Sequence, residues 1–163
     1  MTTYPKATLD LLADHSAPGT LAERNLIVLH CTDGPTASSA INTFRASVAP
    51  NRVSAHFVID VDGTVFQLVD LEDTAWHASE VNSRSVGIEH AAIPGKQPAT
   101  DAQYQSSAEL VAWLCGLLQV SCDAAHVQAH SVASPRDGHV LCCQGAVDPE
   151  RVIAAAAAIL QVD

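Results

Sequence analysis

Apolar residues in this chain fall into short runs separated by polar, turn-rich stretches, and the period within each run separates strands from helices. Leu26-Ile27-Val28-Leu29 and Val86-Gly87-Ile88 are unbroken and bounded by polar residues, the pattern of strands buried on both faces. They predict strands over Asn25–Cys31 and Ser85–Ala91, the second closed off by Pro94-Gly95. Val53–Ile59 and Thr64–Val69 are β-type runs joined through Asp60-Val61-Asp62-Gly63, where Asp-Gly is a hairpin signal. Leu110, Val111, Leu114, Leu117 and Leu118 recur at helical spacing, and Thr100 with Gln103 forms a capping box, so a helix is predicted from there to about Val120. A short helix over Thr36–Val48 follows the Asp33-Gly34-Pro35 turn. A last, alanine-rich helix starts with Asp148 as N-cap and Pro149 at its first position. Two long irregular segments remain, Leu71–Arg84 and Ser131–Val147, and a compact domain usually keeps such stretches for function. Both are expected to meet at one end of the sheet. The economical architecture is α/β, a central mixed sheet flanked by helices, in a single domain over residues 1–163.

Composition narrows the function classes. The 163 residues are 48% hydrophobic, enough for one real core, and they contain no repeat or low-complexity tract. A net charge of −10 with only eight Lys and Arg argues against nucleic acid as a ligand, because a phosphate backbone needs clustered cations. Met1–Lys6 lacks a basic segment followed by an apolar one, and no apolar run reaches membrane-spanning length. The expectation is therefore synthesis in the cytoplasm without a signal peptide, no membrane insertion, and a monomer. Cys31, Cys115, Cys122, Cys142 and Cys143 form an odd set without a C-x-x-C pair, which points to a reduced compartment and mostly buried thiols.

Candidate chemistry sits at the tips of the apolar runs. His30 ends the first strand, His130 follows a separate short apolar stretch, and Glu89 closes the run Ser85-Val86-Gly87-Ile88. Two imidazoles and a carboxylate on rigid elements are what a catalytic zinc with a general base requires. Taken alone, a His at a strand end is more often a satisfied core histidine, and a strand-end Glu a surface residue. His90, one residue beyond Glu89, should face the other way and is read as structural, and His56 as packing. A Cys31 nucleophile paired with His30 is the rival chemistry, but adjacent strand residues point to opposite faces.

Several ordered segments resemble the zinc-dependent N-acetylmuramoyl-L-alanine amidases of the type-2 amidase and peptidoglycan recognition protein superfamily. They are Ile27–Thr32, Ser54–Val69, Ala75-Trp76-His77-Ala78 and Asn82–Glu89, and the resemblance runs from about Asn25 to Arg151. It implies that His30 and His130 are Zn2+ ligands and Glu89 the catalytic base. It also implies that His77 and Asn82 line the substrate groove, with Trp76 as packing that holds His77. The third ligand in the family is an Asp or Cys after the second His. Here Cys143 is favoured, because Gly145 and Asp148 then fall in register, with Cys142 and then Asp137 as alternatives.

This chain departs from the family pattern at two positions: Gln144 stands for the usual Pro and Leu141 for the usual Lys, in a longer loop. Arg136 and His139 are the candidates to replace that Lys as catalytic donors, and a solvated loop charge is the alternative for each. The resemblance implies cleavage of the amide between N-acetylmuramic acid and L-alanine in peptidoglycan, in the manner of a phage lysin acting on the wall after release or export. A cytoplasmic amidase recycling anhydro-muropeptides and a non-catalytic peptidoglycan recognition module are the alternatives.

Overall fold

The computed structural model describes residues 1–139 and 141–162; Val140 and Asp163 lie outside the described residues. In chain order the elements are β1 (Thr8–Leu9), β2 (Ala17–Pro18), β3 (Leu26–Cys31), α1 (Ala37–Ala46), β4 (Phe57–Ile59), β5 (Val65–Gln67), β6 (Asp73–Thr74), β7 (Ser85–His90), α2 (Asp101–Leu118), β8 (Val127–Ala129), α3 (His130–Ala133) and α4 (Pro149–Leu160). Six strands form one sheet in the order β1-β5-β4-β7-β3-β8, and β2 pairs with β6 apart from it. Only the β4–β5 hairpin is antiparallel in the large sheet; β1–β5, β4–β7, β7–β3 and β3–β8 are parallel. The expected mixed sheet between helices is therefore the fold.

The alternation of strand side chains sets the two layers. Ile27, Leu29, Phe57, Ile59, Val86 and Ile88 cluster with Leu110, Val111 and Leu114 of α2 and Val152 and Ala156 of α4. Each fully buried side chain of this size contributes roughly 1.5–3 kcal/mol. On the other face Leu26 and Val28 meet Ala78, Val81 and Ala133, while Val58 and Leu68 meet Ala37, Ala40, Ile41 and Phe44 of α1. The central strands β3 and β7 carry no polar alternation because both of their faces are covered.

Local signals start and stop the helices. Thr36 caps α1, the Thr100–Gln103 capping box opens α2, and Asp148 with Pro149 opens α4. The second helix ends at Leu118 because Gln119 turns left-handed, at φ 56°. The hairpin strands are shorter than expected. Residues 53–55 leave the ladder because Ser54 is engaged elsewhere: its N–H donates to the Trp76 carbonyl, and its Oγ accepts from the Trp76 N–H, both at 3.0 Å. The irregular segment after Leu71 holds β6 and a 3-10 stretch, Ser79–Arg84. All five cysteines are free, but only Cys115 and Cys143 are buried, fewer than expected. No helix among the described residues is long and apolar enough to cross a membrane.

Candidate metal centre

The register of β3 against β7 builds the first half of the site. Leu26, Val28 and His30 lie opposite Ser85, Gly87 and Glu89, so His30 and Glu89 share a sheet face one residue before the ends of both strands. His30 Nδ1 is 4.0 Å from Glu89 Oε1. His130, the first residue after β8, comes from the neighbouring parallel strand, and its ring centroid lies 4.4 Å from that of His30. Ligand atoms of His30, His130 and Cys142 all lie within 4.8 Å of one another. Two imidazoles and a thiol, the imidazoles buried, are a donor set that suits a soft-to-borderline divalent ion such as zinc.

Cys142, not Cys143, completes this cluster, so the register favoured by the sequence is corrected by one residue. Cys143 occupies the left-handed region, at φ 72°, and this turn carries its thiol inward to donate to the Leu29 carbonyl at 2.8 Å. Its carbonyl accepts from Ala146 and Val147, each at 3.0 Å. Spacing to Gly145 and Asp148 is therefore absorbed by a tight turn that a linear alignment does not anticipate. A hydrogen bond from the Cys142 thiol, helped by the Cys143 N–H at 3.4 Å, pulls the Cys31 sulfur below the usual thiol range.

Asp137 is not a member of the cluster. Its Oδ2 accepts from His130 Nε2 at 2.5 Å, in the manner of the carboxylates that orient metal-binding histidines. That bond leaves Nδ1 of His130 with the free lone pair. Burial, then the neighbouring imidazoles, pushes His30 well below its ordinary value and keeps it neutral, as a ligand must be. Burial, then the nearby Cys31 sulfur, pushes Glu89 up to about 8. Its Oε2 is buried without a hydrogen-bond partner, a carboxylate oxygen held in readiness for a proton or a ligand.

Two adjoining hollows open over the cluster and share Val53, Trp76, His77, His130 and His139. One, of about 600 Å³, contains His30, Glu89 and Cys142. The other, of about 450 Å³, adds Pro50, Arg52, Asn82 and Asp137. The two irregular segments thus meet at one end of the sheet, as expected. Asn82 lines the groove but also braces it, its Oδ1 accepting from the N–H groups of His77 at 3.0 Å and Ala78 at 2.7 Å. Trp76 is half-buried in the groove wall rather than beneath it.

The two candidates for the missing Lys part company. His139 stacks on His130 with centroids 5.0 Å apart and lines both hollows. Arg136 is 86% exposed and pairs with Glu80 at 3.3 Å, outside the groove. His90 is structural, as expected: its Nδ1–H donates to the His30 carbonyl at 2.9 Å, and its Nε2 meets Ser107 Oγ at 3.0 Å.

Sequence reasoning missed three residues here. Arg24, only 2% exposed, donates to the carbonyls of Leu71 at 2.8 Å, Ser85 at 2.9 Å and Asp73, tying the groove segment to the strand entry. Arg52 lines the groove with its Nε buried and unpaired. Nothing in the pattern set these two cations apart. Gly87 did carry a signal, since glycine inside a central strand marks a close approach by another group.

Comparisons with known proteins agree with this geometry. A family model described as N-acetylmuramoyl-L-alanine amidase matches residues 21–151. The chain is 38% identical over 78 residues, 43% of its own length and 42% of the relative's, to the 1,6-anhydro-N-acetylmuramyl-L-alanine amidase AmpD of Haemophilus influenzae. It is 35% identical over 107 residues, 63% of its length and 58% of the relative's, to N-acetylmuramoyl-L-alanine amidase A of Achromobacter lyticus. The matched stretch thus spans about half the length of each of these curated relatives. The crystal structure of a selenomethionine AmpD derivative has the same fold, with a TM-score of 0.74 at 24% identity over 94% of this chain and 96% of that one. With the family model covering most of its length and the fold in agreement, this chain belongs to the N-acetylmuramoyl-L-alanine amidase family.

Proposed function

We propose that this domain hydrolyses the amide bond between the lactyl group of N-acetylmuramic acid and the L-alanine of a stem peptide, with zinc as its metal. The observation that carries the reading is the convergence of His30, His130 and Cys142 within 4.8 Å, beside a carboxylate whose one oxygen is buried and unpaired. Zinc held by those three residues would act as a Lewis acid for the scissile carbonyl and lower the pKa of a water. The chain's own groups do the rest. Glu89 takes a proton from the attacking water and delivers it to the departing nitrogen, so that one water and one amide become a carboxylic acid and an amine. Its raised pKa suits both halves of that exchange. Asp137 holds the His130 ring in place, and the groove formed by Trp76, Asn82 and Arg52 receives the glycopeptide. His139, lying over His130 at the groove surface, is the residue placed to take over the role of the missing Lys. All of these groups come from one copy of the chain.

The test is to incubate zinc-reconstituted protein with a muramoyl peptide and follow the appearance of a free L-alanine amine, with a chelator and zinc add-back as controls. Zinc binding without release of that amine would replace the hydrolase with a recognition module. A second reading of the substrate is favoured by the Haemophilus relative, which by its name acts on 1,6-anhydro compounds. Comparing rates on intact cell wall and on soluble anhydro-muropeptide separates a wall-lysing enzyme from a recycling one, and with it the compartment in which the protein works.

A further inference from the structure

His77 has a place in the metal centre that the groove-lining role does not account for. Ser85, Gly87 and Glu89 occupy alternate positions on one face of β7, opposite Leu26, Val28 and His30. A Cβ added at Gly87 would fall 2.6–2.8 Å from Cγ, Nδ1 and Cδ2 of His77, so the imidazole lies flat against the glycine backbone, in space that any other residue would fill. From that seat the ring reaches in two directions. Its Nδ1 is 3.0 Å from His30 Nε2, and its Nε2 is 3.2 Å from Ser85 Oγ. The Ser85 hydroxyl lies 2.7 Å from the Val81 carbonyl.

The carbonyl at the end of this chain dictates where every proton sits. Val81 O can only accept, so the single Ser85 hydroxyl proton points to it, and Ser85 Oγ is left as an acceptor. It must then receive the N–H of His77 Nε2. A neutral imidazole has one N–H, so His77 Nδ1 bears a lone pair and receives the N–H of His30 Nε2. His30 Nδ1, the nitrogen nearer Glu89, is thereby the one free to bind a metal. We propose that His77 is a positioning residue, seated on Gly87 and anchored through Ser85 to the Val81 carbonyl, which locks His30 in the tautomer that presents Nδ1 to the metal. The proposal rests on the zinc reading above for its purpose, but the tautomer itself does not need the metal.

The test uses the full chain with and without zinc. Long-range proton–nitrogen NMR of the metal-free protein should report both His30 and His77 protonated on Nε2, and His77 should keep that tautomer when zinc is added. Zinc affinity, read by competition with a chromophoric chelator, should fall about 10- to 100-fold in His77→Phe and in Gly87→Ala, the second of which keeps the imidazole but evicts it from its seat. The variant His77→Gln, whose side-chain carbonyl can accept from His30, should recover most of that loss. His30 protonated on Nδ1 in the metal-free protein overturns the proposal, even if no variant folds; so does unchanged zinc affinity in the folded His77→Phe and Gly87→Ala proteins. If the wild-type chain binds no zinc, the metal centre itself falls, a result separate from the tautomer measurement.

Discussion

His30 and Glu89 are register partners near the ends of two adjacent parallel strands, and their side chains come within 4.0 Å on the same face of the sheet. That relationship joins a metal ligand to a proton carrier through the most rigid part of the fold, because β3 and β7 are buried on both sides and hydrogen-bonded along their whole length. Rigid placement of this kind is what preorganised catalysis requires.

Replacing Glu89 by Gln keeps the shape of the side chain and removes its ability to shuttle a proton. Turnover of a muramoyl peptide should fall about 100- to 10,000-fold while zinc stoichiometry stays at one per chain. Near-normal turnover in that variant would remove Glu89 from the chemistry.

The two neighbouring cysteines separate cleanly. Cys142→Ser should lose zinc and activity, since Cys142 is the thiol within the histidine cluster. Cys143→Ser should keep both, because a hydroxyl can still donate to the Leu29 carbonyl. Metal analysis of the two purified variants decides the matter, and retention of zinc by Cys142→Ser would return the third ligand to another residue of the loop.

Arg24 is a structural cation with a large expected effect. Arg24→Met takes the guanidinium donors from the buried Leu71 and Ser85 carbonyls and leaves the Asp73 carbonyl with His56 Nε2 alone, at 3.2 Å. The cost should be about 3 kcal/mol, a fall of roughly 10 °C in Tm. Arg24→Lys should not restore it, because an ammonium cannot span three carbonyls as a guanidinium does. A change in Tm of under about 2 °C in thermal unfolding would contradict this account.

Acid should unfold the protein earlier than its carboxylates alone would predict. Burial pushes His90 down to about 4, against an ordinary 6.5, and pushes His56 down in the same direction. The unfolded chain then takes up protons first, so stability is full above pH 6.5 and is lost as pH falls from there toward 4. His90 by itself accounts for roughly 3 kcal/mol of that loss. Urea unfolding at pH 7.5 and 4.5 should show a smaller drop for His90→Gln than for the wild type, and equal drops would assign the effect elsewhere.

The sequence by itself determined the central strands, the three long helices and the chemistry types, but not the short strands β1, β2, β6 and β8 or the turn of α3. Unbroken apolar runs marked β3 and β7, the Thr100–Gln103 box and Asp148-Pro149 marked helix starts, and the positions of His30, Glu89 and His130 placed two imidazoles and a carboxylate at strand tips. These are local properties, set by side-chain period and by the hydrogen-bonding needs of helix ends, so a linear string carries them. Tertiary structure alone decided which of two adjacent cysteines faces the histidines, because one left-handed residue, Cys143, reverses the direction of its thiol without changing any spacing. It also decided the seat of His77 on Gly87 and the hold of Arg24 on three carbonyls. Those contacts join segments far apart in the chain: Gly87 signals that some group approaches its strand without saying which, and the carbonyls that hold Arg24 are backbone atoms, which every residue possesses and which leave no mark in the sequence.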